Sequence, residues 1–348
     1  MKIKPMTKFA ILALSLVLVA CAGGGSEEAG CPAIDGREIN VVATTPMIGE
    51  FVSQVGGESI NLTVLMPPEA NPHTYEPAPQ DAGTIAEADL VFYTGLLYEP
   101  AALVKLLENS ACSTDILSEV GESVFPIEFK EGGHDDHDDE EGHDDHDDEE
   151  GHDDEEGHDD EEGHDDHEGH NHGAYDPHFW FDPSRVAYAA EYIESRLIQF
   201  DPENESSYIS SADSFVSELN DLTKQVSELI STVPSQNRKL ITTHESLGYL
   251  EAKFGLEVLS TIIPSLNSAN EISPSDLAGV IDVIEDNNVK VIFIESEAPS
   301  VYSETIVAET GIKPVTGLYV ETLKPGQSYS EFLISNVKLI TENLQDTD

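Results

Sequence analysis

Residues 201–234 read DPENESSYISSADSFVSELNDLTKQVSELISTVP, and one face of that stretch is apolar from end to end. Tyr208, Ala212, Phe215, Leu219, Leu222, Val226, Leu229 and Val233 recur at alternating spacings of four and three. That spacing keeps them on one side of an α-helix as a continuous stripe for burial. Pro202 fits the first turn with Asp201 as its N-cap, and Pro234 stops the helix. The pattern predicts one helix over 202–233. A coiled-coil dimer is the alternative, but the stripe mixes Ala and aromatic residues where a heptad seam would be regular. A helix laid along two domains and joining them rigidly is the better reading.

On both sides of it short β-branched runs alternate with helical patterns. Before it, 39–44, 60–66 and 90–94 read as strands, and 48–55 and 100–108 as helices. After it, 239–243, 257–262, 289–295 and 313–318 read as strands, with helices over 245–254, 274–286, 301–310 and 329–344. Such alternation predicts an α/β fold of two lobes, each a mainly parallel sheet covered by helices. The expected divisions are an N-terminal lobe over 37–184, a helical segment over 185–234 and a C-terminal lobe over 235–348.

Within the first lobe, residues 131–172 contain only Asp, Glu, His, Gly and one Asn. The unit EEGHDD starts at Glu140, Glu149, Glu155 and Glu161. Nothing there can enter a core, so the tract is expected to be disordered. It holds ten of the 13 histidines: His134, His137, His143, His146, His152, His158, His164, His167, His170 and His172. A solvated acidic spacer needs charge alone. Regular imidazoles among carboxylates read instead as a weak, multi-site collector of transition metal.

The formal net charge is -53. Setting the tract's 24 acids aside from the total of 69 leaves 45 against 16 Lys and Arg, or about -29. An acidic body of this kind excludes nucleic acid and anionic membrane as partners and suits a cation. Lys2, Lys4 and Lys8 precede an apolar run over 9–20, too short to span a membrane comfortably. Leu18-Val19-Ala20-Cys21 looks like a bacterial lipoprotein signal, with 1–20 removed, lipid on Cys21 and a tether over 21–36. The expected location is the cell envelope, at the outer face of the cytoplasmic membrane or in the periplasm, with membrane contact through the lipid alone. Export favours a disulfide between Cys31 and Cys112, the two remaining thiols.

Outside the tract three histidines remain, each at a strand end or in a loop. His73 follows the strand ending near Met66, His178 precedes a helix, and His244 lies where strand 239–243 gives way to helix. Ligands of open α/β sheets bind outside the carboxyl ends of strands, which is where His73 and His244 fall.

The runs Asn71-Pro72-His73-Thr74-Tyr75-Glu76-Pro77 and Asp176-Pro177-His178, with Trp180, resemble the signature segments of the zinc- and manganese-binding solute receptors of bacterial ABC importers. The likeness continues through Glu99-Pro100, His244 with Gly248-Tyr249, Phe254-Gly255-Leu256 and Ile292-Phe293-Ile294-Glu295-Ser296. It covers nearly all of the mature chain, in order, and puts the His-rich insert where zinc-type members carry theirs. It implies two α/β lobes bridged by a long rigid helix, with metal in the cleft between them. It implies His73, His178 and His244 as three ligands. The fourth falls on Glu321 where the family usually has Asp, with Glu295 a weaker substitute and Glu76 an acceptor for an imidazole N–H. Manganese-type relatives usually carry a carboxylate at the third position. His244 there implies three imidazoles and one carboxylate, a set for tetrahedral Zn2+.

The resemblance thus implies a monomeric, non-enzymatic zinc receptor that serves an ABC permease and its ATPase. A manganese receptor, or a surface zinc buffer or adhesin without transport, are the alternatives. A hydrolytic zinc enzyme is disfavoured by the residues themselves. No HExxH helix, G-x-S-x-G elbow or Gly-rich phosphate loop is present.

Overall fold

Ile39–Ala43 (β1), with sequence INVVA, is β-branched and almost wholly buried, as a strand covered on both faces must be. The computed structural model describes residues 31, 34, 36–68, 70–129, 175–297 and 301–345. The leader, Cys21 and the 131–172 tract lie outside the described residues. After β1 come α1 (Pro46–Gly56), β2 (Ile60–Val64), α2 (Pro79–Ala86), β3 (Leu90–Tyr93), α3 (Ala101–Ser110) and β4 (Leu117–Glu119). These strands form one parallel sheet in the order β2-β1-β3-β4. The order reverses between β1 and β3, so their carboxyl ends open a crevice. There Glu99 is buried and accepts hydrogen bonds from Thr44 Oγ1 (2.7 Å), Thr94 N (2.7 Å) and Gly95 N (2.9 Å).

Two helices follow, α4 (Pro183–Phe200) and α5 (Glu205–Ser231), and then the second lobe. Its elements are β5 (Lys239–His244), α6 (Gly248–Phe254), β6 (Glu257–Ile263), α7 (Pro274–Asp286), β7 (Val291–Glu295), α8 (Val301–Thr310), β8 (Lys313–Leu318) and α9 (Tyr329–Gln345). β5 pairs with β6 and β7 with β8, both parallel. β5 and β7 lie side by side and are joined through side chains. Glu295 N donates to Thr243 Oγ1 (3.0 Å) and His244 N donates to Glu295 Oε1 (3.1 Å). Among the described residues no helix is long and apolar enough to cross a membrane.

Strand alternation explains where the core sits. Val41 and Ala43 of β1, Leu90 and Phe92 of β3, Leu240 of β5, and Val291 and Phe293 of β7 all enter one apolar cluster. The intervening Val42 and Val91 face a separate cluster under α2 and α3, while Ile241 and Ile292 face another under α7 and α8. The shared cluster runs through α1, α4, α5 and α9, so both lobes rest on the same helices. Phe51 of α1 shows the join: its ring lies 6.1 Å from Phe179, 6.3 Å from Phe215 on α5 and 5.3 Å from Tyr329 on α9. Cys31 and Cys112 are joined by a disulfide that ties the chain before β1 to the turn after α3.

Several boundaries differ from expectation. The long helix begins at Glu205, after a 3-10 turn over Pro202–Asn204, and ends at Ser231. Asp201 does not cap it through a backbone N–H. Its carboxylate accepts from Asn204 Nδ2 (2.7 Å) and Tyr208 OH (2.6 Å), which tightens the turn between α4 and α5. Ile230 takes the buried place expected of Leu229, which is half-buried. The helix of 245–254 starts at Gly248, because Glu245-Ser246-Leu247 is spent on the loop after His244.

Leu219 is 1% exposed on the buried stripe of α5, and Ile209, off the stripe, is 39% exposed. Leu219→Ala is expected to destabilise the protein by about 2–5 kcal/mol. Ile209→Ala should stay within about 0.5 kcal/mol of the parent. Urea unfolding followed by far-UV circular dichroism checks both.

Candidate metal centre

His73 sits in a single 3-10 turn, Pro72–Thr74, that begins because Asn71 Oδ1 accepts from His73 N (2.9 Å). The Asn71 amide also reaches the second lobe, donating to Ser268 Oγ (3.0 Å) and to the carbonyl of Glu297 (3.3 Å). His178 precedes the 3-10 turn Phe179–Phe181, and Asp176 Oδ1 receives both its backbone N and its Nδ1, each at 2.8 Å. His244 ends β5, with Nδ1 on Glu295 Oε2 at 2.5 Å. Glu321 follows β8 on a segment held by Trp180, whose Nε1 donates to the carbonyl of Val320 (2.8 Å).

These four side chains converge between the lobes. One donor atom from each of His73, His178, His244 and Glu321 lies within 4.8 Å of all the others. Glu321 Oε1 is 3.0 Å from His73 Nε2 and 3.0 Å from His244 Nε2, while its Oε2 is 3.5 Å from His178 Nε2. His178, His244 and Glu321 are wholly buried and the His73 side chain is nearly so. His178 Nε2 and His244 Nε2 have no hydrogen-bond partner although they are buried. Buried polar atoms without partners call for an explanation, and a cation held jointly by these nitrogens and Glu321 supplies one.

Carboxylates set the ring orientations. With Nδ1 engaged by Asp176 or Glu295, His178 and His244 turn Nε2 inward, the arrangement in which a carboxylate partner raises ligand basicity. Burial disfavours a charged His178, but the hydrogen-bonded carboxylate of Asp176 and the nearby carboxylate of Glu321 outweigh it and raise its pKa to about 9. His244 is opposed by burial and still held well above the usual imidazole range by the charges of Glu295 and Glu321. Burial alone would raise Glu321, yet the charges of His73 and His244 keep it well below the ordinary carboxylate range. Glu297 is pushed up to about 8 by burial and by Glu321 and Glu295.

Glu76 does not play the part expected of it. It is exposed, and no described hydrogen bond joins it to an imidazole, because the turn after His73 carries it outward. Asp176 and Glu295 are the acceptors. Asp176 was legible in the Asp-Pro-His run, two residues before the histidine that it orients. Tyr98 was missed altogether. It is buried, and its hydroxyl donates to Glu321 Oε2 (2.9 Å).

Three imidazole nitrogens and one carboxylate oxygen in a buried cleft between two parallel-sheet lobes define a metal-binding receptor. The chain matches the family described as "Zinc-uptake complex component A periplasmic" over residues 41–343. It belongs to that family, the substrate-binding components of metal ABC importers, which are receptors and not enzymes. Its relatives divide by metal. It is 22% identical over 332 residues to the manganese-binding lipoprotein MntA of Halalkalibacterium halodurans, covering 95% of this chain and 94% of that one. It is 28% identical over 346 residues to the high-affinity zinc uptake system protein ZnuA of Bacillus subtilis, covering 97% and 96%. The fold is shared with the periplasmic zinc-binding protein TroA of Treponema pallidum at a TM-score of 0.71 and 20% identity, over 88% of this chain and 99% of that one.

Replacing Asp176 or Glu295 by its amide keeps an accepting oxygen but removes the negative charge that raises the basicity of the ring it orients. Asp176→Asn and Glu295→Gln are each expected to weaken metal binding by about 10–100-fold with little change in far-UV signal. Isothermal titration against a competing chelator measures this.

Proposed function

We propose that the chain is a zinc receptor that captures Zn2+ outside the cytoplasmic membrane and passes it to an ABC permease driven by its ATPase. The observation that carries the reading is the donor set. Three imidazoles converge with one carboxylate among the described residues, with His244 rather than a carboxylate on β5. Such a set suits tetrahedral Zn2+, whereas Mn2+ favours more oxygen ligands. His73, His178, His244 and Glu321 are the proposed ligands. Manganese is the second reading, favoured by the manganese-binding relative.

The 131–172 tract is proposed as an accessory collector that raises local metal concentration by many weak contacts. Lipid on Cys21 would keep the receptor, as a monomer, near its permease. A surface buffer or adhesin would use the same site without a permease, and loss of zinc uptake on deletion of the gene separates these roles.

Competitive titration of Zn2+ against Mn2+ on protein starting after Cys21 and lacking 131–172 tests the assignment. One tight zinc equivalent, lost in His244→Ala, is expected. Loss of all tight binding on deleting the tract would move the working site there.

Proton linkage offers a further test. Each ligating Nε2 must be free of its proton, and without metal His178 holds one up to about pH 9. Affinity should therefore fall as pH drops below about 9, with roughly one or more protons released per ion near neutrality. Titration calorimetry in two buffers of different ionisation enthalpy counts them.

A further inference from the structure

Tyr98 is buried between the two lobes, and both hydrogen-bond partners of its hydroxyl belong to one residue. The oxygen lies 2.9 Å from Glu321 Oε2 and 3.2 Å from the Glu321 carbonyl, across 223 positions of sequence. Its ring stands edge-on to His73 (5.0 Å between centroids), His178 (5.9 Å) and Trp180 (5.3 Å). Tyr98 thus touches two proposed histidine ligands by packing and the carboxylate by a hydrogen bond.

The backbone that brings it there is under strain. Gly95, Leu96 and Leu97 take φ of 75°, 53° and 62° in succession, and two of them are leucines in the left-handed region. Glu99 holds Gly95 N (2.9 Å), Glu119 holds Leu96 N (2.9 Å), and Tyr98 N donates back to the Gly95 carbonyl (2.9 Å). Strain of this kind persists where surrounding contacts over-determine it, often at a functional site. Here the turn delivers the Tyr98 hydroxyl to one oxygen of Glu321.

The two carboxylate oxygens therefore have different company. Oε1 lies 3.0 Å from both His73 Nε2 and His244 Nε2, whereas Oε2 accepts from the tyrosine at 2.9 Å and stands farther, at 3.5 Å, from His178 Nε2. We propose that Tyr98 is a specificity-determining positioning residue: by occupying Oε2 it confines Glu321 to one metal bond, which holds the site at four ligands. The proposal rests on the zinc reading above and deepens it. A four-ligand site favours Zn2+, while an ion that seeks six ligands gains from a carboxylate free to bind through both oxygens.

The test compares the unaltered protein with Tyr98→Phe, which keeps the ring contacts and removes the hydroxyl. Each is titrated with Zn2+ and Mn2+ and loaded with Co2+ as a visible probe of coordination. Tyr98→Phe should lose about 10–100-fold in zinc affinity while manganese changes by less than about 3-fold. Its Co2+ absorption should weaken as the site gains a ligand. An unchanged metal ratio with an unchanged Co2+ spectrum would overturn the proposal. So would an equal loss for both metals, since that marks a purely structural tyrosine. X-ray absorption on the zinc-loaded parent needs no variant, and five-coordinate zinc with a bidentate carboxylate would also overturn it. A parent that prefers manganese overturns the zinc reading instead, and the Co2+ comparison still decides Tyr98.

Discussion

The carboxylate of Glu321, buried among three imidazoles, is the constraint around which the rest is arranged. An ionised carboxylate taken out of water alone costs on the order of several kcal/mol. Here two rings come from the first lobe and one from the second, and the carboxylate comes from the second. Neither lobe by itself assembles the full set. The site is therefore complete only where the two lobes meet, a junction reinforced by Asn71, which starts the His73 turn and binds Ser268 and Glu297 across the gap.

Such convergence requires a frame that does not sag, because ligand atoms a few tenths of an ångström out of place forfeit metal bonds. The frame is the apolar cluster shared by both lobes and by α1, α4, α5 and α9. α5 fixes the separation of the lobes, and α9 returns from the second lobe to pack against it. Tyr329, at the start of α9, donates to the carbonyl of Trp180 (2.6 Å), and Trp180 in turn holds Val320 beside Glu321. Packing and ligand placement are linked through that chain of contacts.

Much of this was legible beforehand, for local reasons. The α5 stripe is read from neighbours three and four apart, and the alternation of strand and helix from short contiguous runs. α2 escaped notice because PQDAGTIA buries only Asp81 and Ile85, too little to leave a period. β4 is three residues long and carries no period at all. The start of α5 was misread because Asp201 has the right side chain for a cap but turns it to Asn204 and Tyr208.

The sequence by itself determined the α/β class, the long helix and the three histidines at strand ends and loops, since each follows from contacts within a few residues or from position relative to a strand. The tertiary structure decided which carboxylates serve them. Glu76, three residues from His73, faces solvent, whereas Glu295, 51 residues from His244, orients it. The hydroxyl of Tyr98 meets Glu321 only because the fold brings residues 223 positions apart together. The role of a charged or polar group depends on its distance to partners and its loss of water, and both are properties of the folded chain rather than of its order.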